Sequence, residues 1–305
     1  MLRNVEFESE GAKLRGRLYY HPDSPKPSPV VIMAHGFSAT MNGMVADRYA
    51  EVFFEAGLAV LLYDHYSFGI SGGEPRRQIN KWVQARGYRD AINFAITLPE
   101  IDTQRIAIWG DSMSGAVVIA VGAIDQRVKA IVAQVPACGD EPPPPDPKGL
   151  LYASICETFM HGDVTGTPET TYGPIPIVSF DQRTIPSLLT PLTAFRWFIE
   201  YGGRYGTGWE NSASLVTPIT PAPLHPALCA PFIKASLLMV VAREDEMPGA
   251  SSLIAQKTFD ATPQPKEYFK IEGGHFGLLY YPSPLFDQVS RSEVDFLGCW
   301  LNKES

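Results

Sequence analysis

The chain has 305 residues, of which 45% are hydrophobic, with 25 basic against 33 acidic side chains and a formal net charge of -8. Such apolar content excludes intrinsic disorder, and the length suits one large core or two modest domains. The acidic balance, with no cluster of Lys and Arg, argues against a nucleic-acid partner, which needs basic groups to displace phosphate counterions.

Two alternating segments at the start, VEFESE and KLRGRLYYH, flank Gly11 and read as an antiparallel hairpin at a sheet edge. PVVIM at 29–33 is a buried strand. Residues 43–56 have helical spacing and stop at Gly57. A second buried strand is expected at 58–65 and a helix at 80–98. RIAIWGDS at 105–112 is a strand running into a turn, followed by the helix SGAVVIAVGAI and a strand at 128–136. Further on come a strand at 236–245, a helix at 251–259, the strand KEYFKI and a last helix at 290–301. Strand runs without strict alternation, separated by helices, imply a mostly parallel sheet covered on both faces: an α/β fold.

Composition changes between 137 and 231, which holds 15 of the 27 prolines. That density is incompatible with core strands or helices, yet the aromatics Phe159, Trp197, Phe198, Tyr201 and Trp209 speak against disorder. The span is read as an inserted cap of loops and short helices, with 1–136 and 232–305 as the core. The four prolines at 142–145 form an exposed, extended connector. No stretch approaches the roughly 18 consecutive apolar residues of a membrane helix. The charged N-terminus does not read as a secretory signal, so no membrane partner and a cytoplasmic location are expected. The four cysteines, Cys138, Cys156, Cys229 and Cys299, form no CxxC pair and are expected to be buried or free thiols.

The strongest chemical signal is Gly110-Asp111-Ser112-Met113-Ser114-Gly115, between an apolar strand and a helix of small residues. It is close to the G-x-S-x-G nucleophile elbow, where a serine on a tight strand-to-helix turn tolerates only small neighbours. Serine stands where the pattern has its last glycine, and it is small enough to fit. The backbone N–H of Met113 opens the helix and would face a developing oxyanion. His35-Gly36-Phe37 follows the strand at 29–33, where a loop supplying the second oxyanion donor starts, so the Phe37 N–H is the partner donor. The His35 ring itself is expected to bond loop carbonyls.

A serine needs a base. Of six histidines, His275 in EGGHFG directly follows a strand and lies among glycines. His161 and His225 fall in the cap and read as substrate-facing or solvated. The base needs an orienting carboxylate. Asp245, three residues past the apolar run SLLMVVA, is assigned that place over Glu244, Glu246 and Asp140. Ser112, Asp245 and His275 occur in the chain order of α/β-hydrolases.

The stretches AHGFSA, YDHYSFGISGGEPR, GYRDAI, IWGDSMSG and SLLMVVARED make the chain similar to α/β-hydrolases over nearly its whole length. It most resembles the dienelactone-hydrolase and X-Pro-peptidase-like branch, including hydrolases found beside polyketide pathways. The branch typically has an Arg where this chain has Tyr66 or Ser67. The resemblance implies an α/β-hydrolase fold with an inserted cap, in which Asp64 and the glycine-rich loop at 69–73 are structural. Asp111, unusual beside the nucleophile, is read as a solvated carboxylate, with tuning of the elbow as the alternative.

These readings converge on a serine hydrolase cleaving a carboxylic ester, thioester or lactone of a small-molecule acyl substrate. Trp197, Phe198, Tyr201 and Phe276 are candidate substrate contacts. No cofactor and no metal are expected, and a homodimer is left open. The alternatives are an acyl transferase, a carbon–carbon bond-forming or cyclising enzyme on the same scaffold, and a non-catalytic binding protein on a hydrolase fold.

Overall fold

A computed structural model describes residues 1–302. In chain order the strands are β1 (Leu2–Ser9), β2 (Ala12–Tyr19), β3 (Ser28–Ala34), β4 (Ala59–Tyr63), β5 (Gln78–Ile79), β6 (Ile101–Asp111), β7 (Val128–Gln134), β8 (Thr171–Ile175), β9 (Ala213–Val216), β10 (Ser236–Ala242) and β11 (Lys266–Ile271). The helices are α1 (Ala46–Glu55), α2 (Lys81–Ala95), α3 (Ser112–Ile124), α4 (Leu150–His161), α5 (Leu192–Trp197), α6 (Pro226–Cys229), α7 (Ser252–Ala261) and α8 (Pro284–Leu301). The main sheet has the order β1-β2-β4-β3-β6-β7-β10-β11. β1 and β2 form the expected antiparallel hairpin, and β2 pairs antiparallel to β4. All pairings from β4 to β11 are parallel.

The central strands are buried on both faces, and alternate residues serve different cores. Val31, Met33, Trp109 and Val132 join a cluster with Tyr49 and Phe53 of α1 and Phe286, Phe296 and Leu297 of α8. Val30, Ile32, Ile108 and Ile131 pack on the other face, with residues of α2, α3 and α7. Burying one such side chain contributes about 1.5–3 kcal/mol, so neither face is dispensable.

Helix α8 starts earlier than the 290 expected. Ser283 caps it by accepting the Phe286 N–H (3.1 Å), and Pro284 occupies the first turn, where a missing N–H leaves nothing unpaired. The segment between β7 and β10 has more structure than loops and short helices. β9 pairs antiparallel with β8 and parallel with β5, which lies before α2, so the segment shares a small sheet with the preceding part of the chain. Arg86 of α2 also grips it. Its guanidinium donates to the carbonyls of Phe159 (3.1 Å) and Thr158 (2.7 Å) at the end of α4. The prolines at 142–145 are largely exposed and outside regular structure. All four cysteines are free, Cys138 and Cys229 being buried.

Candidate active site

Parallel strands deliver their following loops to one edge, and the chemistry collects there. β3 ends at Ala34, just before His35-Gly36-Phe37. β6, its neighbour, ends at Asp111, just before Ser112. β10 and β11 are adjacent and lead into Asp245 and His275. Residues far apart in sequence therefore meet at the C-terminal edge of one sheet, the usual place for a site in such folds.

Ser112 sits on the turn into α3 with φ 53°, a left-handed conformation that non-glycine residues rarely adopt. Its surroundings show why small residues are needed. A Cβ on Gly110 would lie 2.5 Å from the Ser114 carbonyl oxygen, and one on Gly115 would lie 2.8 Å from that of Gln134. A Cβ on Gly36 would lie 2.8 Å from the Asp111 oxygen and 3.0 Å from Ser112 Cβ, so the His35-Gly36-Phe37 loop presses directly on the turn.

The Ser112 hydroxyl lies 2.9 Å from Nε2 of His275. On the far side of the ring, Nδ1 lies 2.8 and 3.0 Å from the two carboxylate oxygens of Asp245. His275 and Asp245 are almost wholly buried. Asp245 also accepts the Met247 N–H (3.0 Å), which fixes its rotation. The competing carboxylates do other things. Glu246 accepts the backbone N–H of His275 (2.9 Å), and Asp140 accepts the Gly249 N–H. Neither is bonded to the imidazole. His225 is half-buried and caps α6, its Nδ1 accepting the Ala227 N–H (3.2 Å).

Asp111 is not the solvated carboxylate expected. It is buried, its Oδ1 accepts the Gly36 N–H (2.9 Å), and the same atom lies 2.9 Å from Nδ1 of His35. Nε2 of His35 donates to the Met44 carbonyl. Burial works against a charged ring here. The Asp111 charge and hydrogen bond and the Met44 carbonyl outweigh it, raising the His35 pKa above the ordinary value. Ser114 also earns notice: its hydroxyl donates to the His35 carbonyl (2.7 Å) and accepts from Nε2 of the buried His65 (2.9 Å). Burial lowers the His65 pKa to about 3, so this ring is a neutral donor. Asp64 accepts the N–H groups of Met41 (2.7 Å) and Ile70 (3.0 Å), tying two loops together, and burial pushes its pKa up to about 6.

A cavity of about 230 Å³ opens over Ser112 and His275. Phe37, Met113, Trp197, Phe198 and Phe276 all line it. Tyr201 is not among the lining residues, which corrects its reading as a substrate contact. It is buried beside Trp197, and its hydroxyl accepts the Tyr281 N–H (2.9 Å), a packing role. Lys81, the first residue of α2, also lines the wall, and nothing in the sequence beyond helical spacing marks it.

The family model for serine aminopeptidase, S33, a hydrolase family, matches residues 25–169. A thiohydrolase of Eupenicillium brefeldianum is 29% identical over 91% of this chain and 88% of its own length. The crystal structure of the α/β-hydrolase GrgF from Penicillium sp. sh18 superposes with a TM-score of 0.73, at 24% identity, covering 99% of this chain and 100% of that one. The chain has the α/β-hydrolase fold. A polyketide transferase of a Penicillium species is also similar to this chain, 37% identical over 134 residues, 44% of each chain. Among the described residues, no helix is long and apolar enough to cross a membrane.

Proposed function

We propose that this α/β-hydrolase cleaves an acyl bond, a carboxylic ester, thioester or lactone, through an acyl-enzyme on Ser112. The observation that carries the reading is the unbroken line from Ser112 through His275 to Asp245, at 2.9 and 2.8 Å, on a serine held at positive φ. Ser112 Oγ attacks the carbonyl carbon while His275 Nε2 takes its proton. Asp245 holds the imidazole with Nδ1 protonated and stabilises the imidazolium. The N–H groups of Phe37 and Met113 receive the oxyanion; the first N–H groups of α3 have no acceptor within their own helix. The tetrahedral adduct collapses as His275 protonates the leaving alcohol or thiol. Water, deprotonated by the same ring, then releases the acid. The resemblance to a thiohydrolase supports the thioester member of the group. The cavity, at about 230 Å³, is below the roughly 300–1,000 Å³ of drug-sized sites, which favours a small or medium acyl group.

The test is turnover of p-nitrophenyl butyrate and of a short acyl thioester. Ser112→Ala should abolish both while leaving the circular dichroism spectrum intact, and a fluorophosphonate should label the parent protein but not this variant. Full activity in Ser112→Ala would refute the proposal. Acyl transfer is the second reading, favoured by the polyketide transferase relative and by a cavity walled mostly by apolar side chains. An added alcohol or amine acceptor that diverts the acyl group from free acid to ester or amide would select it.

A further inference from the structure

We propose that Lys81 is the recognition point for a second, anionic group on the acyl chain, so that the favoured substrates are acyl esters or thioesters carrying a distal carboxylate. The inference deepens the acyl-hydrolase reading and rests on it for the position of the reacting carbonyl.

Four ionisable residues other than the reacting serine line the cavity: His35, Asp111, His275 and Lys81. The first two answer each other, and His275 is answered by Asp245. Lys81 has no ion pair and no hydrogen bond among the described residues. Lys81 is exposed over part of its surface, while the protein packed around its amine desolvates it enough to pull its pKa below that of a free lysine. The two titratable groups that interact with it electrostatically supply no counterion. The Cys138 thiol is pushed up to about 12 by burial, and the His225 ring has its pKa lowered by burial and by Lys81 itself.

Its place on the helix makes a stabilising role hard to find. Lys81 is the first residue of α2, at the positive end of the helix dipole, where a cation is disfavoured. The backbone there is nevertheless held firmly. Asn80 caps the helix by accepting the N–H groups of Trp82 (3.1 Å) and Val83 (3.4 Å), and its amide donates to the Val164 carbonyl (2.7 Å). An unpaired amine on the wall of a mostly apolar cavity that also holds the nucleophile is suited to one kind of ligand group. A carboxylate beside it would supply the missing counter-charge and draw the ammonium form back.

The experiment compares mono-p-nitrophenyl adipate with its neutral counterpart, methyl p-nitrophenyl adipate. The parent enzyme should favour the charged ester about tenfold to a hundredfold in kcat/KM, the range of one charge-assisted hydrogen bond. In Lys81→Met that ratio should fall to about one, and Lys81→Arg should keep most of it. A parent ratio near one, or equal losses on both esters in Lys81→Met, would overturn the proposal. A binding arm separates it from the hydrolase reading. Monomethyl adipate should bind Ser112→Ala in calorimetry and fail to bind Ser112→Ala/Lys81→Met. Binding that ignores Lys81 while Ser112-dependent turnover persists sinks this inference alone. Lys81-dependent binding without any turnover sinks the hydrolase reading instead. If Lys81→Met unfolds, Lys81→Gln carries the same comparison.

Discussion

Asp111 and His35 meet in a buried contact, Oδ1 to Nδ1 at 2.9 Å, joining the residue before Ser112 to the loop that carries Phe37. The carboxylate that holds the ring also accepts the Gly36 N–H, so one group fixes the turn and the loop against each other. Asp111→Asn should therefore lower stability by about 3 kcal/mol, the scale for leaving one partner of a buried pair unanswered. It should also slow fluorophosphonate labelling of Ser112. The sign with pH follows from the raised His35 pKa. The stabilisation is complete below the unfolded value near 6.5 and fades as pH rises through the higher folded value. Thermal unfolding of the two proteins should differ most in acid and converge in base. Equal labelling rates and parallel melting curves would remove the pair from the site's architecture.

Gly36→Ala tests the same contact sterically. The added Cβ would sit 2.8 Å from the Asp111 oxygen and 3.0 Å from Ser112 Cβ, and both neighbours are held. The loop must retreat, taking the Phe37 N–H with it. We expect kcat on p-nitrophenyl butyrate to fall about a hundredfold, as for loss of one oxyanion donor, with KM little altered. A change in KM alone would mean that the loop shapes the cavity rather than the reacting centre.

Much of this arrangement is legible in the sequence because parallel strands buried on both faces appear as uninterrupted apolar runs, and the runs of β3, β6, β10 and β11 end just before the candidate site residues. What the sequence hides is pairing across the sheet. Asp111 looks solvated until β3 lies beside β6 and brings His35 to it. Lys81 looks like the polar start of an amphipathic helix, since periodicity cannot tell solvent from a cavity wall. β8 reads TYGPI, with a proline and a glycine inside five residues, and no strand pattern survives that composition. Tyr201 shares the aromatic character of Trp197 and Phe198, but only packing decides which rings reach the cavity.

Ser114 departs from the glycine of the elbow pattern, and the structure gives the departure a use. Its hydroxyl bridges the His35 carbonyl and Nε2 of His65, all three groups being buried. Ser114→Gly should fit the turn and yet destabilise the protein by about 2 kcal/mol, because His65, whose Nδ1 already lacks a partner, would have none at either nitrogen. Urea unfolding at pH 7 measures this, where a ring with a pKa of about 3 is neutral. A stabilised variant would show the bridge to be unimportant.

Glu293 makes the last prediction, and it concerns the core rather than the site. The carboxyl is fully buried on α8, accepting from Trp109 Nε1 (3.3 Å) and Gln134 Nε2 (2.6 Å), and burial raises its pKa to about 8. The folded chain therefore holds a proton that the unfolded chain releases near pH 4.5. Its stabilising effect is fully present below that value and is lost as pH rises through about 8. Glu293→Gln keeps the shape, and its new amide can donate to Gln134 Oε1, which has no partner in the parent protein. Urea titrations at pH 5, 7 and 9 should show the parent losing on the order of a few kcal/mol relative to the variant across that range. A parent profile as flat as that of Glu293→Gln would mean that the side chain is already ionised at neutral pH, balanced by its two donors.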